Sequence, residues 1–180
     1  MSRENKTQYA ILGSLSKVKQ MSGYDIKSRM NKMADFYWAE SNAQLYPLLK
    51  KLAEDGMVTM TEDSTGPRKK YLYSITENGL KKLLDWIVQI PAELPIPRNE
   101  WLLKISLGQH LEKETLLMHL NTYLCKLKEQ QKKLDNIIEH IKNDHKGKAD
   151  QKYLRATYRY GELITNAKIT WCEEMLKAFS

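Results

Sequence analysis

Residues 41–75 read SNAQLYPLLKKLAEDGMVTMTEDSTGPRKKYLYSI, and the order of patterns inside them decides the fold. Leu45, Leu48, Leu49 and Leu52 recur at helical spacing, which predicts an amphipathic helix. Ser41 is a candidate N-cap for it and Gly56 supplies the stop. Pro47 falls inside this pattern, where a proline in a regular helix interior costs about 3 kcal/mol. Two alternating runs follow, Met57 to Asp63 and Lys69 to Ile75, with Ser-Thr-Gly-Pro turn chemistry at 64–67 between them. The return run opens on three consecutive cations, Arg68, Lys69 and Lys70. A helix followed by a basic hairpin is the order in which a winged helix-turn-helix is built.

Working outward, Thr7 to Leu15 carries Tyr9, Ala10, Ile11, Leu12 and Leu15, a short helix apolar on most sides. Ser22 reads as the N-cap of a second helix, with Tyr24, Ile26, Met30 and Met33 facing inward and Gly23 allowing a close approach. After the hairpin, Thr76 and Glu77 open a fourth helix with apolar positions Leu80, Leu83, Leu84, Ile87 and Val88. Each feature alone is commonplace, and a run of three cations is usually a solvated loop. The conjunction is not. A reading helix needs short polar side chains near its N-terminus to reach base edges. A wing needs cations at its tip to reach phosphates. Both occur here, in order, behind two helices of suitable length.

At these residues the chain resembles a known family. YAILGSL, SGYDIKSRM, FYWAESNAQLYPLLKKLAEDGMV and RKKYLYSITENGLKKL are similar to the corresponding segments of PadR-type bacterial transcriptional regulators, over roughly residues 1–90. The resemblance also accounts for Pro47, since members carry Tyr-Pro within this helix. It implies that Ser41, Asn42, Gln44, Tyr46 and Lys50 face DNA and that Arg68, Lys69 and Lys70 form the wing. It further implies backbone phosphate contacts at Tyr9 and at the start of the second helix, Ser22 to Tyr24. Residues 98–180, beginning with NEWLLKISLG, resemble the C-terminal helical domain of long-chain members, which include phenolic-acid regulators and a virulence-gene activator. Long-chain members that sense phenolic acids hold the effector between their domains. Phe36, Tyr37, Trp38 and Trp101 are the matching candidates for a pocket taking a flat aromatic effector, with ordinary core aromatics as the alternative.

PAELPIP at 91–97 reads as a stiff linker between domains 1–90 and 98–180. All five prolines lie at or before position 97, so the second half is expected to be almost wholly helical. Leu117, Leu120, Leu124, Leu127, Gln131, Leu134, Ile138 and Ile141 follow alternating spacings of three and four, a coiled-coil pattern with one polar seam position. A last helix carries Tyr153, Tyr160, Ile164, Ala167, Trp171 and Met175 on one side. Two long amphipathic helices cannot bury themselves on a small winged domain, so homodimerisation through Leu117, Leu120, Leu124, Leu127, Leu134, Ile138, Ile164 and Trp171 is expected. Two copies would also place two reading helices in successive major grooves, about 34–36 Å apart.

The expected fold class is therefore mainly α: an N-terminal winged helix-turn-helix with a two-stranded wing, plus a C-terminal all-α dimerisation domain of long antiparallel helices. The net charge of +7 suits a polyanionic partner, though it is shared by the two halves and marks neither. Cys125 and Cys172 are far apart with no CxxC, which suits a reducing compartment. The N-terminus lacks an apolar signal region, and no apolar run is long enough to span a bilayer, so a cytoplasmic location is expected. His110, His119, His140 and His145 lack metal-ligand spacing, and no nucleotide loop or nucleophile elbow occurs, so neither a cofactor nor enzymatic activity is expected. The reading is a dimeric repressor of a palindromic operator released by a small aromatic effector. A regulator without such an effector, or a winged-helix adaptor for proteins, remain the alternatives.

Overall fold

The structure is a computed structural model describing residues 5–34, 38, 44–63, 70–91, 98–144 and 147–180, less the side chains of 32–34 and 144. The chain forms two compact units, Met1–Leu94 and Pro95–Ser180.

In the first unit the elements are α1 (Thr7–Leu15), β1 (Met21–Ser22), α2 (Gly23–Ala34), α3 (Leu45–Glu54), β2 (Val58–Asp63), β3 (Lys70–Ile75) and α4 (Glu77–Ile87). The sheet order is β1-β3-β2, antiparallel throughout. The wing is therefore two-stranded at its outer end and three-stranded at its root, where Met21 and Ser22 pair with Tyr73 and Leu72. Met21 and Ser22, the latter read from sequence as a helix N-cap, supply that third strand.

The core collects Ile11, Leu12 and Leu15 of α1, Ile26 and Met30 of α2, Leu45, Leu49 and Leu52 of α3, and Val58, Tyr73 and Leu83. Burying each such aliphatic side chain contributes about 1.5–3 kcal/mol. The α3 stripe is the one its spacing predicts, with Leu48 only partly covered. Along the hairpin, Val58↔Ile75, Met60↔Tyr73 and Glu62↔Tyr71 share one face, and burial fades outward from Val58 to an exposed Met60.

Three capping arrangements fix the helices. Ser22 and Asp25 form a reciprocal box: the Ser22 Oγ donates to Asp25 Oδ2 (2.6 Å) and accepts from the Asp25 N–H (3.2 Å). Gly56 ends α3 at φ +70°, a conformation that favours glycine, and the Met57 N–H reaches back to the Leu52 carbonyl (2.8 Å). Thr76 caps α4 by accepting from the Gly79 N–H (3.0 Å), while the Met57 carbonyl accepts the Thr76 N–H (3.1 Å). A Cβ at Gly79 would sit 2.0 Å from the Met57 oxygen, so this joint closes only with glycine there.

Pro47 is explained by where α3 begins. The described helix starts at Leu45 with Gln44 as its N-cap residue, so Pro47 stands in the first turn. A missing N–H there forfeits no intrahelical bond. The N-cap proposed at Ser41 lies outside the described residues.

Two burial expectations are corrected. Tyr24 points to solvent at 74% exposure instead of inward. In α4 only Leu83 of the apolar positions is buried, and Leu80, Leu84, Ile87 and Val88 are exposed. The contact that seats α4 is instead Trp86, whose ring stacks on Tyr9 with centroids 4.4 Å apart.

The second unit holds α5 (Glu100–Ser106), a 3-10 turn at Gly108–His110, α6 (Lys113–Asp144) and α7 (Gln151–Phe179). Asn99 caps α5 through the Leu102 N–H (3.2 Å). Lys128–Glu173, Gln131–Asn166 and Gln151–Ile141 contacts show α6 and α7 running antiparallel. The fully buried positions recur every seven residues on both helices: Leu120, Leu127, Leu134 and Ile141 on α6, and Tyr158, Thr165 and Cys172 on α7. Leu117, Leu124, Gln131 and Ile138, the other heptad position, are only half-buried, and Leu116 is buried in addition. The polar seam residue finds a partner, with the Gln131 Nε2 donating to Asn166 Oδ1 at 2.7 Å. Trp101 of α5 stacks on Tyr123 of α6 at 4.9 Å. Burial raises the Tyr123 hydroxyl and the Cys172 thiol above their usual pKa ranges.

Candidate nucleic-acid interface

The packing of α3 divides its residues into two sets. Leu45, Leu49 and Leu52 go inward. Gln44, Tyr46, Pro47, Lys50, Lys51 and Glu54 are left on the surface. Tyr46 and Lys50 are one helical turn apart and so neighbours on that surface. Lys50 meets Glu54 at 3.8 Å with both side chains largely in water, an ion pair worth little. Its ammonium is therefore cheaply released to a stronger anion.

Tyr46 is placed by α2. Its ring lies against Gly23, where a Cβ would stand 2.7 Å from Cε1, and its outer surface remains 54% exposed. The first turn of α3 thus rests on the first turn of α2, beside the exposed Tyr24. Asn5 also approaches, its Nδ2 donating to Gln44 Oε1 at 3.5 Å. On the other flank Lys70 stands exposed on β3, close enough to Asp25 to help hold that carboxyl below its usual range after the Ser22 hydroxyl. The result is a polar surface made of the α2 N-terminus, the outer face of α3 and the wing strand.

The expected contact residues fare unequally. Gln44, Tyr46, Lys50 and Lys70 come together with Tyr24 on this surface. Ser41, Asn42, Arg68 and Lys69 lie outside the described residues. Tyr9 is 6% exposed and stacked on Trp86, and Ser22 is 3% exposed with its hydroxyl committed to Asp25. Tyr9 thus packs in the core and Ser22 caps α2. The same surface also carries Lys51 and Asn5, which the sequence reading did not single out; Lys51 follows from the same outer face that exposes Pro47, whereas nothing in the local pattern announces Asn5. Among the aromatic candidates, Phe36 and Tyr37 lie outside the described residues. Trp38 is half-buried in the first unit, with a buried indole N–H lacking a partner among the described residues. Trp101 is half-buried in the second unit against Tyr123 and edge-on to His119. Among the described residues no helix is long and apolar enough to cross a membrane.

Comparison with known proteins bears on both units. Residues 11–85 match the model of the Transcriptional regulator PadR-like family, and residues 97–180 match that of the Virulence activator alpha C-term. The Negative transcriptional regulator PadR of Bacillus subtilis (strain 168) is 37% identical over 101 residues, so the match spans about half of each protein (54% of this chain, 53% of that one). The crystal structure of Bacillus subtilis PadR in complex with operator DNA superposes with a TM-score of 0.85 at 25% identity, covering 98% of this chain and 100% of that one. The Vibrio cholerae virulence activator AphA gives a TM-score of 0.72 at 26% identity, covering 95% of this chain and 96% of that one. With a PadR-like winged unit followed by an activator-type helical unit, the chain belongs to the PadR-like family of transcriptional regulators.

Proposed function

We propose that the chain is a DNA-binding repressor that grips a palindromic operator as a homodimer, reading bases with residues 41–55 and holding phosphates with the wing, 57–75. The observation that carries this reading is the outer face of α3. It leaves Gln44, Tyr46 and Lys50 in solvent while three leucines behind them are fully buried, and it is flanked by Tyr24 and Lys70. Recognition helices divide their residues in the same way, and phosphate contacts from flanking elements fix the register. The negative sense of regulation is taken from the name of the Bacillus subtilis relative. Dimerisation is supported by apolar surface that one protomer leaves open on its helical unit: Met118, Leu163 and Ile164 are at least 40% exposed, and Tyr160 is 64% exposed. Leu117, Leu124 and Ile138, half-buried beside α7, would complete their burial in the same contact with Ile164 and Trp171.

We assign release to a small aromatic effector, with Phe36, Tyr37, Trp38 and Trp101 as its contacts. The buried, unpartnered indole N–H of Trp38 favours this, because such a donor gains most from an acceptor supplied by a ligand. The test is a gel shift against the promoter region of the chain's own gene, with sedimentation of the free protein. A discrete complex that survives competitor DNA, from a particle of two chains, is the expected result. Replacing Arg68 and Lys69 with alanine should weaken binding to all duplexes alike and lower the salt slope by roughly one to two counterions. Unchanged affinity and slope would remove the wing from the interface, and absence of any complex would favour a protein-binding role.

A further inference from the structure

The winged unit contains a cleft of about 310 Å³ that the DNA-facing surface does not use. Tyr9 and Trp86 form its aromatic floor, their rings 4.4 Å apart and within 6° of parallel. Lys81, Lys82 and Asn78 of α4 stand on its walls, and Met57 closes one end. Its volume lies at the lower end of the roughly 300–1,000 Å³ typical of small-molecule sites.

The chemistry of the walls narrows the ligand. Trp86 is only half-buried and offers ring surface to a guest. Lys81 and Lys82 form no hydrogen bond or ion pair among the described residues. Asp85 is the sole carboxylate on the rim, so the cleft keeps a net positive charge, and Asn78 and Gln89 add amide donors. An aromatic floor alone would also suit a cation, but two ammonium groups oppose one. We infer that this cleft is a binding site for a small planar aromatic anion, whose ring lies on Trp86 and whose charged group meets Lys81 and Lys82. The site also has a route to the reading surface. Met57 on its wall follows the glycine that ends α3, opens into β2, and holds Thr76 through its carbonyl. A guest would touch the joint where reading helix, wing and α4 meet. Its use as a second effector site, separate from the one assigned to Phe36, Tyr37, Trp38 and Trp101, rests on the regulator reading; binding itself does not.

The test is a titration of the full-length chain, with ¹⁵N NMR of the indole and side-chain amide groups as readout and the Trp86 signal assigned by Trp86→Phe. The probes are benzoate, cyclohexanecarboxylate (same charge, no flat ring) and benzyl alcohol (same ring, no charge). At about 0.3 kcal/mol per heavy atom a guest of this size binds with a dissociation constant near 10 mM or tighter. Benzoate should shift the Trp86 indole and the Asn78 and Gln89 amides saturably, and the other two probes should bind about tenfold more weakly, a difference of about 1.4 kcal/mol. Lys81→Gln with Lys82→Gln should weaken benzoate about tenfold and leave benzyl alcohol unchanged, with an unaltered melting temperature. No saturable shift of Trp86, equal binding of all three probes, or benzoate binding indifferent to the lysine changes would each overturn the site. Duplex binding by the ligand-free protein is scored in parallel: its absence would sink the regulator reading and leave the site standing.

Discussion

Gly23→Ala tests whether the reading surface is set by the contact between α2 and α3. A Cβ at position 23 would lie 2.7 Å from Tyr46 Cε1, about 0.7 Å inside ordinary van der Waals contact, and 3.6 Å from two further ring atoms. The backbone of α2 is held by the Ser22–Asp25 box and by Arg29, whose Nη1 donates to the Ser14 carbonyl at 2.9 Å. Tyr46 is more than half exposed and is the partner that yields. Stability should change little, because replacing glycine in a helix gains about 0.5–1 kcal/mol and offsets the cost of swinging an exposed ring. DNA affinity should not survive as well. On the DNA-binding reading proposed above, a ring displaced by about 0.7 Å stretches a hydroxyl–phosphate bond from about 2.7 Å to about 3.4 Å, where little of it survives, and a bond to a charged group is worth about 1.5–3 kcal/mol. The expected outcome is a loss of roughly 10- to 100-fold in affinity with a melting temperature within about 2 °C of wild type. Fluorescence anisotropy on a labelled operator measures the first and calorimetry the second. The decisive comparison is a double-mutant cycle: in a Tyr46→Ala background, Gly23→Ala should cost nothing more. If the loss is as large without the tyrosine ring, the contact does not position Tyr46 for DNA.

Two further outcomes follow from the caps. Asp25, hydrogen-bonded to Ser22, titrates below its unfolded value of about 3.9, so its contribution to stability is present above that pH and is lost as pH falls through the lower folded value. Ser22→Ala should cost about 1 kcal/mol at neutral pH, and Asp25→Asn should narrow the gap to wild type as urea melts are carried from pH 6 toward about pH 3; a gap constant with pH would refute the linkage. Gly79→Ala should lose roughly 2–4 kcal/mol by forcing Met57 and Thr76 apart, seen as a fall of several degrees in the melting temperature. Gly13→Ala, with nothing within 4 Å of the added carbon, should instead gain about 0.5–1 kcal/mol, and similar melts for the two variants would discredit the joint.

What the sequence revealed and what it hid divide along physical lines. The α3 stripe and the alternation of the wing strands were legible because Leu45, Leu49, Leu52, Val58 and Tyr73 all answer to one buried surface, and periodicity reports a single surface well. Where an element has two apolar sides the period cannot say which is taken. In α4, Leu80, Leu84, Ile87 and Val88 make the stronger pattern, yet the inward residues are Leu83 and Trp86. On α6 the seven-residue repeat was visible, but which of its two positions turns toward the neighbouring helix depends on the partner helix, a long-range fact; on α7 the side picked out from sequence was not the buried one, which is Tyr158, Thr165 and Cys172. β1 is two residues long, too short for any alternation to register. For the site, Tyr46 and Lys50 were legible as the remainder of the leucine stripe. The stacking of Tyr9 on Trp86 was not, because it joins rings 77 positions apart in the chain.

The seven-residue repeat in the helical unit bears on how such a chain can change over evolutionary time. Leu127, Leu134 and Ile141 on one arm stand level with Cys172, Thr165 and Tyr158 on the antiparallel other, and the amide pair Gln131–Asn166 pins their alignment at one point. Loss or gain of seven residues in one arm, balanced by seven in the other beyond that pin, restores every lateral pairing and alters only the length of the antenna, by about 10.5 Å. Any other increment turns the seam away from its counterpart. Descendants of this chain can therefore lengthen or shorten the hairpin only in matched steps, as a ladder loses whole rungs.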